Sequence, residues 1–221
     1  MATSDEFRSH AHAIWEASFA HPFVRGIGAG TLPEERFRYY LAQDYVYLIE
    51  FSRFFALAAA KARALGAMER FAALLHETLH FEMDLHRKVC AEFGVAREAL
   101  ERTPPAPTCL GYTSYLLKAA YEGEIATVLA ALLPCSWGYG EIGLRLKAGG
   151  LPPVSHYATW VETYASPEYQ QLVGWLRGLF DEAAGEVRGA ARHQLQAVFD
   201  TSSRWEYLFW EMAWRMGGWP V

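Results

Sequence analysis

Cysteine is scarce in this chain. The three residues present among 221, Cys90, Cys109 and Cys135, form an odd set with no C-x-x-C spacing. That excludes a disulfide framework and a paired-thiol redox or metal motif. The N-terminus has no basic stretch followed by an apolar core, so the expectation is a reduced, cytoplasmic protein. Clustered positive charge is missing as well: the net charge is -5 and the Lys and Arg residues are scattered, which leaves no electrostatic footprint for nucleic acid. The longest uncharged run, Ile125 to Gly140, falls short of the roughly 18 residues of a membrane span and contains Pro134, Ser136, Trp137 and Tyr139. It reads as a buried helix, with no membrane partner. No segment joins period-two alternation to β-branched residues and hairpin turns, so a sheet has no material. There is no G-x-S-x-G elbow and no phosphate-binding loop. Gly26-Ile27-Gly28-Ala29-Gly30 lacks both the spacing and the preceding strand of a dinucleotide fingerprint.

Aromatic and apolar residues are abundant: hydrophobic residues make up 52% and aromatics 15% of the chain, with eight Trp and twelve Tyr. Such a chain buries a sizeable core whose indole and hydroxyl tips need partners, and it suits a pocket with aromatic walls. Helical punctuation recurs. Thr31-Leu32-Pro33-Glu34 combines an N-cap, a first-turn proline and a capping-box glutamate, and opens a helix expected to reach Leu65 and end at Gly66. Ser166-Pro167-Glu168 is a second start of this kind, and Gly94 closes a helix over Met68 to Phe93. Further helices are expected over Ser4 to Phe19, Tyr112 to Tyr121, Glu124 to Lys147, Val154 to Tyr164 and about Ala190 to Met216, with Thr103 to Thr108 irregular. The pattern implies an all-α bundle, one domain over residues 1–221.

Within that frame four constellations bear on chemistry. Pro134-Cys135 sets a thiol where proline removes an N–H and crowds the carbonyl of Ala130, so the helix is expected to bend just before Cys135; Tyr139 follows one turn on. The thiol is either a packed core residue or a nucleophile. Asp44, among Tyr40, Tyr45 and Tyr47, is either a carboxylate satisfied by a tyrosine or an arginine of another helix, or an anchor for a ligand's donors. Glu206 shares a face with Phe209 among bulky aromatics, where desolvation suits a carboxyl to proton transfer; the alternative is an ion pair with Arg204 or Arg215. Glu77 and His80 have the Glu-x-x-His spacing of carboxylate-bridged di-iron bundles, but no second such pair exists in the chain, so no metal site is expected.

Four segments, taken in order, resemble the TenA family, also called thiaminase II or aminopyrimidine aminohydrolase. They are Leu41-Ala42-Gln43-Asp44-Tyr45-Val46-Tyr47-Leu48, then Leu133 to Gly143 with Pro134-Cys135-Ser136-Trp137-Gly138-Tyr139 at its centre, Trp160-Val161-Glu162-Thr163-Tyr164-Ala165-Ser166, and Tyr207-Leu208-Phe209-Trp210-Glu211-Met212-Ala213. The resemblance covers nearly the whole chain. It implies a haem-oxygenase-like all-α fold, a homotetramer and no cofactor. Cys135 puts the chain in the family's cysteine-containing branch, which is associated with thiamin-pyrimidine salvage.

The implied small-molecule substrates are 4-amino-5-aminomethyl-2-methylpyrimidine, converted to the 5-hydroxymethyl compound and ammonia, and thiamin, converted to the same pyrimidine and the thiazole alcohol. By the same resemblance Cys135 is the nucleophile and Glu206 the acid. Tyr47 and Tyr164 act close to the nucleophile, Asp44 orients the aminopyrimidine, and Tyr112, Tyr139 and Phe209 wall it. A helix with His76, His80 and His86, where the family pattern has mostly Glu and a single His, is the unusual feature. Competing readings are a non-catalytic pyrimidine-binding or regulatory protein and a metal-dependent oxidase on a related scaffold.

Overall fold

A chain so rich in apolar residues at helical spacing, and so poor in strand-forming alternation, buries its side chains by packing helix on helix. The computed structural model describes residues 2–221, without the side chains of Phe81, Leu85 and Glu92, and contains helices and no strand among the described residues. The all-α expectation is met. The helices are α1 (Thr3–His10), α2 (His12–Phe19), α3 (Pro22–Ala29), α4 (Glu34–Lys61), α5 (Leu65–Glu77), a π-helical segment (Thr78–Glu82), α6 (Met83–Glu92), α7 (Arg97–Glu101), α8 (Pro107–Glu122), α9 (Ile125–Ala148), α10 (Ser155–Tyr164), α11 (Pro167–Ala184) and α12 (Gly189–Arg215).

The strongest punctuation acts as expected. Ser166 Oγ accepts from the Tyr169 N–H at 3.2 Å with Pro167 in the first turn of α11. Gly94 takes a left-handed φ of 74° after α6, and the Val95 N–H reaches back to the Cys90 carbonyl. Elsewhere the boundaries move. The expected Ser4 to Phe19 helix is interrupted at Ala11, which separates α1 from α2. Leu65 and Gly66 do not end α4; they begin α5. The Met68 to Phe93 helix is present but widens into the π-helical segment midway. Pro107 opens α8, so the irregular stretch stops at Ala106. Two short helices, α3 and α7, were not foreseen. In α3, His21 caps the N-terminus by accepting from the Phe23 N–H, and Gly30 at φ 68° closes the other end.

By packing, the described chain divides into two compact units, one of residues 2–33 with Leu129–Trp214, the other of Glu34–Val128 with Arg215–Val221. In the first, α9 runs through Pro134 as one helix. By length and composition α9 could cross a membrane, but Leu129 to Leu133 are wholly buried in the protein. In the second, α4 packs against α5, α6 and α8. Gln43 on α4 holds the segment before α8, donating to the Pro104 carbonyl at 3.1 Å and accepting from the Ala106 N–H at 2.8 Å.

Candidate active site

The sequence-identified residues fall into two sets, one in each unit. Cys135, Tyr139, Tyr164, Glu206 and Phe209 belong to the first, and Asp44, Tyr47 and Tyr112 to the second.

In the first unit Cys135 is half-buried on α9 and Tyr139, one turn later, is buried. The Tyr139 ring lies 4.8 Å from Tyr164, 5.7 Å from Trp160 and 5.0 Å from Trp210, so α9, α10 and α12 meet in one aromatic cluster. Close approach of the backbones makes this possible. A Cβ on Gly143 would sit 2.7 Å from the Tyr164 carbonyl carbon and 2.8 Å from the Ala165 nitrogen. Gln170 of α11 then donates to the carbonyls of Tyr164, at 2.8 Å, and Gly140, at 3.3 Å, fixing α10 against α9.

Glu206 and Phe209 are buried on α12. One turn before Glu206, the buried Ser202 Oγ donates to the Ala131 carbonyl at 2.6 Å, and Ala131 lies one turn before Cys135. This hydrogen bond fixes the register of the helix that carries the thiol against the helix that carries the carboxyl. A small cavity borders Glu206, Ser203, Ser18, Tyr139 and Pro134.

In the second unit Asp44 and Tyr47 are buried on one face of α4, and the Tyr47 ring lies 5.4 Å from Tyr112 of α8 and 5.1 Å from Phe51. The partner of Asp44 corrects the expected tyrosine or arginine: it is His86 of α6, whose Nε2 is 2.6 Å from Oδ2. Both side chains are buried, 7% and 8% exposed. Burial disfavours a charged His86, but the hydrogen bond and charge of Asp44 and the nearby Glu82 outweigh it and raise its pKa. Glu82 is half-buried as a residue; burial of its carboxyl, reinforced by Asp44 and opposed by His86, pushes its pKa up to about 7. Sequence reasoning missed both residues as members of this site. The one signal was the departure of the histidine-rich helix from the family pattern.

The other two histidines of that helix lie elsewhere. His76 and His80 are exposed with their rings stacked 4.1 Å apart, and Glu77 of the Glu-x-x-His pair bonds Arg70 at 3.0 Å. No group of three or more potential metal ligands occurs among the described residues.

Residues 8–216 match the profile of the TENA/THI-4/PQQC family. A protein of Halalkalibacterium halodurans named aminopyrimidine aminohydrolase is 44% identical over 222 residues, 99% of this chain and 98% of that one. A solved structure described as a TenA homologue from P. horikoshii OT3 superposes with a TM-score of 0.91 at 34% identity, covering 98% of this chain and all of that one. A domain of unknown function from Shewanella denitrificans, described as having a haem-oxygenase-like fold, superposes with a TM-score of 0.73 at 14% identity over 98% and 94% of the two chains, a likeness of fold alone.

Proposed function

This chain belongs to the TENA/THI-4/PQQC family, and from that premise we propose that it is an aminopyrimidine aminohydrolase of thiamin metabolism. It hydrolyses 4-amino-5-aminomethyl-2-methylpyrimidine to the 5-hydroxymethyl compound and ammonia, and cleaves thiamin to the same pyrimidine and the thiazole alcohol. The near-full-length relative at 44% identity that bears the activity's name supports the reaction class. The observation that carries the assignment of residues is the Ser202–Ala131 hydrogen bond, which sets Cys135 and Glu206 each one turn beyond a common clasp.

An amine is a poor leaving group at an exocyclic methylene, and the ring supplies the way round. The Cys135 thiolate adds to the ring carbon next to the one bearing the methylene, and Glu206 protonates the ring nitrogen that gains the electron density. The ring electrons then expel ammonia from the protonated amine, or the neutral thiazole from thiamin. Water adds to the resulting exocyclic methylene and gives up a proton to solvent, the ring nitrogen returns its proton to Glu206, and the thiolate departs with aromaticity restored. Asp44 accepts hydrogen bonds from the aminopyrimidine and orients it, a charge-assisted contact that the family resemblance assigns and its burial supports. Tyr112, Tyr139 and Phe209 wall the ring, and the hydroxyls of Tyr47 and Tyr164 position water. No cofactor takes part in this scheme. The reading includes a homotetrameric, cytoplasmic enzyme of pyrimidine salvage.

Chromatography of reactions with each substrate tests it: the hydroxymethyl pyrimidine accumulates in step with ammonia or the thiazole alcohol. Folded protein that binds the pyrimidine without forming product would replace the hydrolase with the binding role.

A further inference from the structure

The buried contact between α4 and α6 has a proton arrangement that can be read from its geometry. His86 Nδ1 lies 3.0 Å from the Glu82 backbone carbonyl, and a carbonyl only accepts, so Nδ1 carries hydrogen. The remaining nitrogen, Nε2, is 2.6 Å from Asp44 Oδ2, and one proton lies between them. With both side chains buried, opposite charges side by side favour imidazolium and carboxylate. The other titratable groups close by do not compete for that role. Burial pushes the Cys90 thiol up to about 11 and the Cys109 thiol up to about 12, so both are neutral. Arg38 acts on Cys90 as a positive charge, and the pKa of Glu82 is pushed up to about 7. Asp44 uses only Oδ2 toward His86; Oδ1 takes no part in that bond.

We propose that His86 is a positioning residue of the aminopyrimidine subsite: its ring, locked by the Glu82 carbonyl, holds Asp44 fixed in orientation so that Oδ1 meets the N–H donors of the ligand. The proposal rests on the role given above to Asp44. An unanchored carboxyl would turn freely about its terminal bond and lose the directed acceptor. The segment that supplies the anchoring carbonyl is π-helical, a widened turn that is frequent at functional sites.

Two measurements on the full chain test this. Ring ¹⁵N NMR of wild type finds His86 doubly protonated and titrating above the ordinary histidine range, and Asp44→Asn returns it to that range or below. A neutral His86 at neutral pH, or one insensitive to Asp44→Asn, overturns the proposal without reference to any substrate. In steady-state kinetics with the aminomethyl pyrimidine, His86→Gln raises KM by about tenfold or more with kcat within a few-fold, and adds nothing further in the Asp44→Asn background. A KM penalty of the same size in both backgrounds would mean that His86 acts independently of Asp44 and would overturn it. Wild type that releases no ammonia while the NMR linkage holds would defeat the hydrolase reading and the catalytic role resting on it, leaving the ion pair itself established.

Discussion

At the scale of single residues, Gly143 and Cys135 share a helix and are constrained for different reasons. Gly143 is where α9 comes against the backbone of Tyr164 and Ala165, with no space for a methyl group. Alanine has the better helix propensity, worth about 1 kcal/mol, yet Gly143→Ala should destabilise by on the order of 1–3 kcal/mol because two backbones must separate. A fall in Tm of roughly 2–10 °C is expected; an unchanged or raised Tm would show that the contact relaxes freely. Cys135 is only half-buried, unlike the buried Cys90 and Cys109, which suits a thiol that must reach a ligand.

Among the elements, the register of α9 against α12 sets where the thiol and the carboxyl stand. Ser202→Ala removes the hydroxyl that binds the Ala131 carbonyl and should cost stability only about 1 kcal/mol. It should lower kcat by roughly tenfold, since small misplacements of reacting groups are expensive in rate. A variant with wild-type kcat would remove the clasp from the mechanism. The long elements were legible because their signals are local. Ser166-Pro167 starts α11 and Gly94 follows α6, both at the expected residues. The break at Ala11 has neither glycine nor proline to announce it. Helix α3 carries Gly26 and Gly28, both poor helix formers, and of these and Gly30 only Gly30 takes a positive φ. The π-helical segment depends on packing that no local pattern reports. Cys135, Glu206 and Asp44 were singled out by motif and resemblance. The pairing of His86 with Asp44 joins residues 42 positions apart on two helices, and no periodicity predicts such a partner.

At the scale of the whole molecule, the buried ionisable groups near α6 give stability a definite pH dependence. Glu82 has its folded pKa raised from 4.5 to about 7, so the folded state binds more protons than the unfolded state between those values. Stability from this group is fully present below about 4.5 and is lost as pH rises through about 7. His86, also raised, has the same sign: its contribution is complete below the ordinary histidine range and disappears as pH passes its folded pKa. Thermal unfolding followed from about pH 5 to pH 8 should therefore show Tm falling by several degrees, with a shallower fall in Glu82→Gln. Equal slopes in the two proteins would mean that Glu82 is not buried as its surroundings indicate.

The proposed mechanism has the Cys135 thiol open the pyrimidine to substitution. Its most direct test is the initial rate of ammonia release from 4-amino-5-aminomethyl-2-methylpyrimidine by wild type and Cys135→Ser, both with the same helical circular dichroism. Release by wild type and a loss of at least about a thousandfold in the variant are expected, in keeping with removal of a nucleophile. A Cys135→Ser rate within a few-fold of wild type would contradict it.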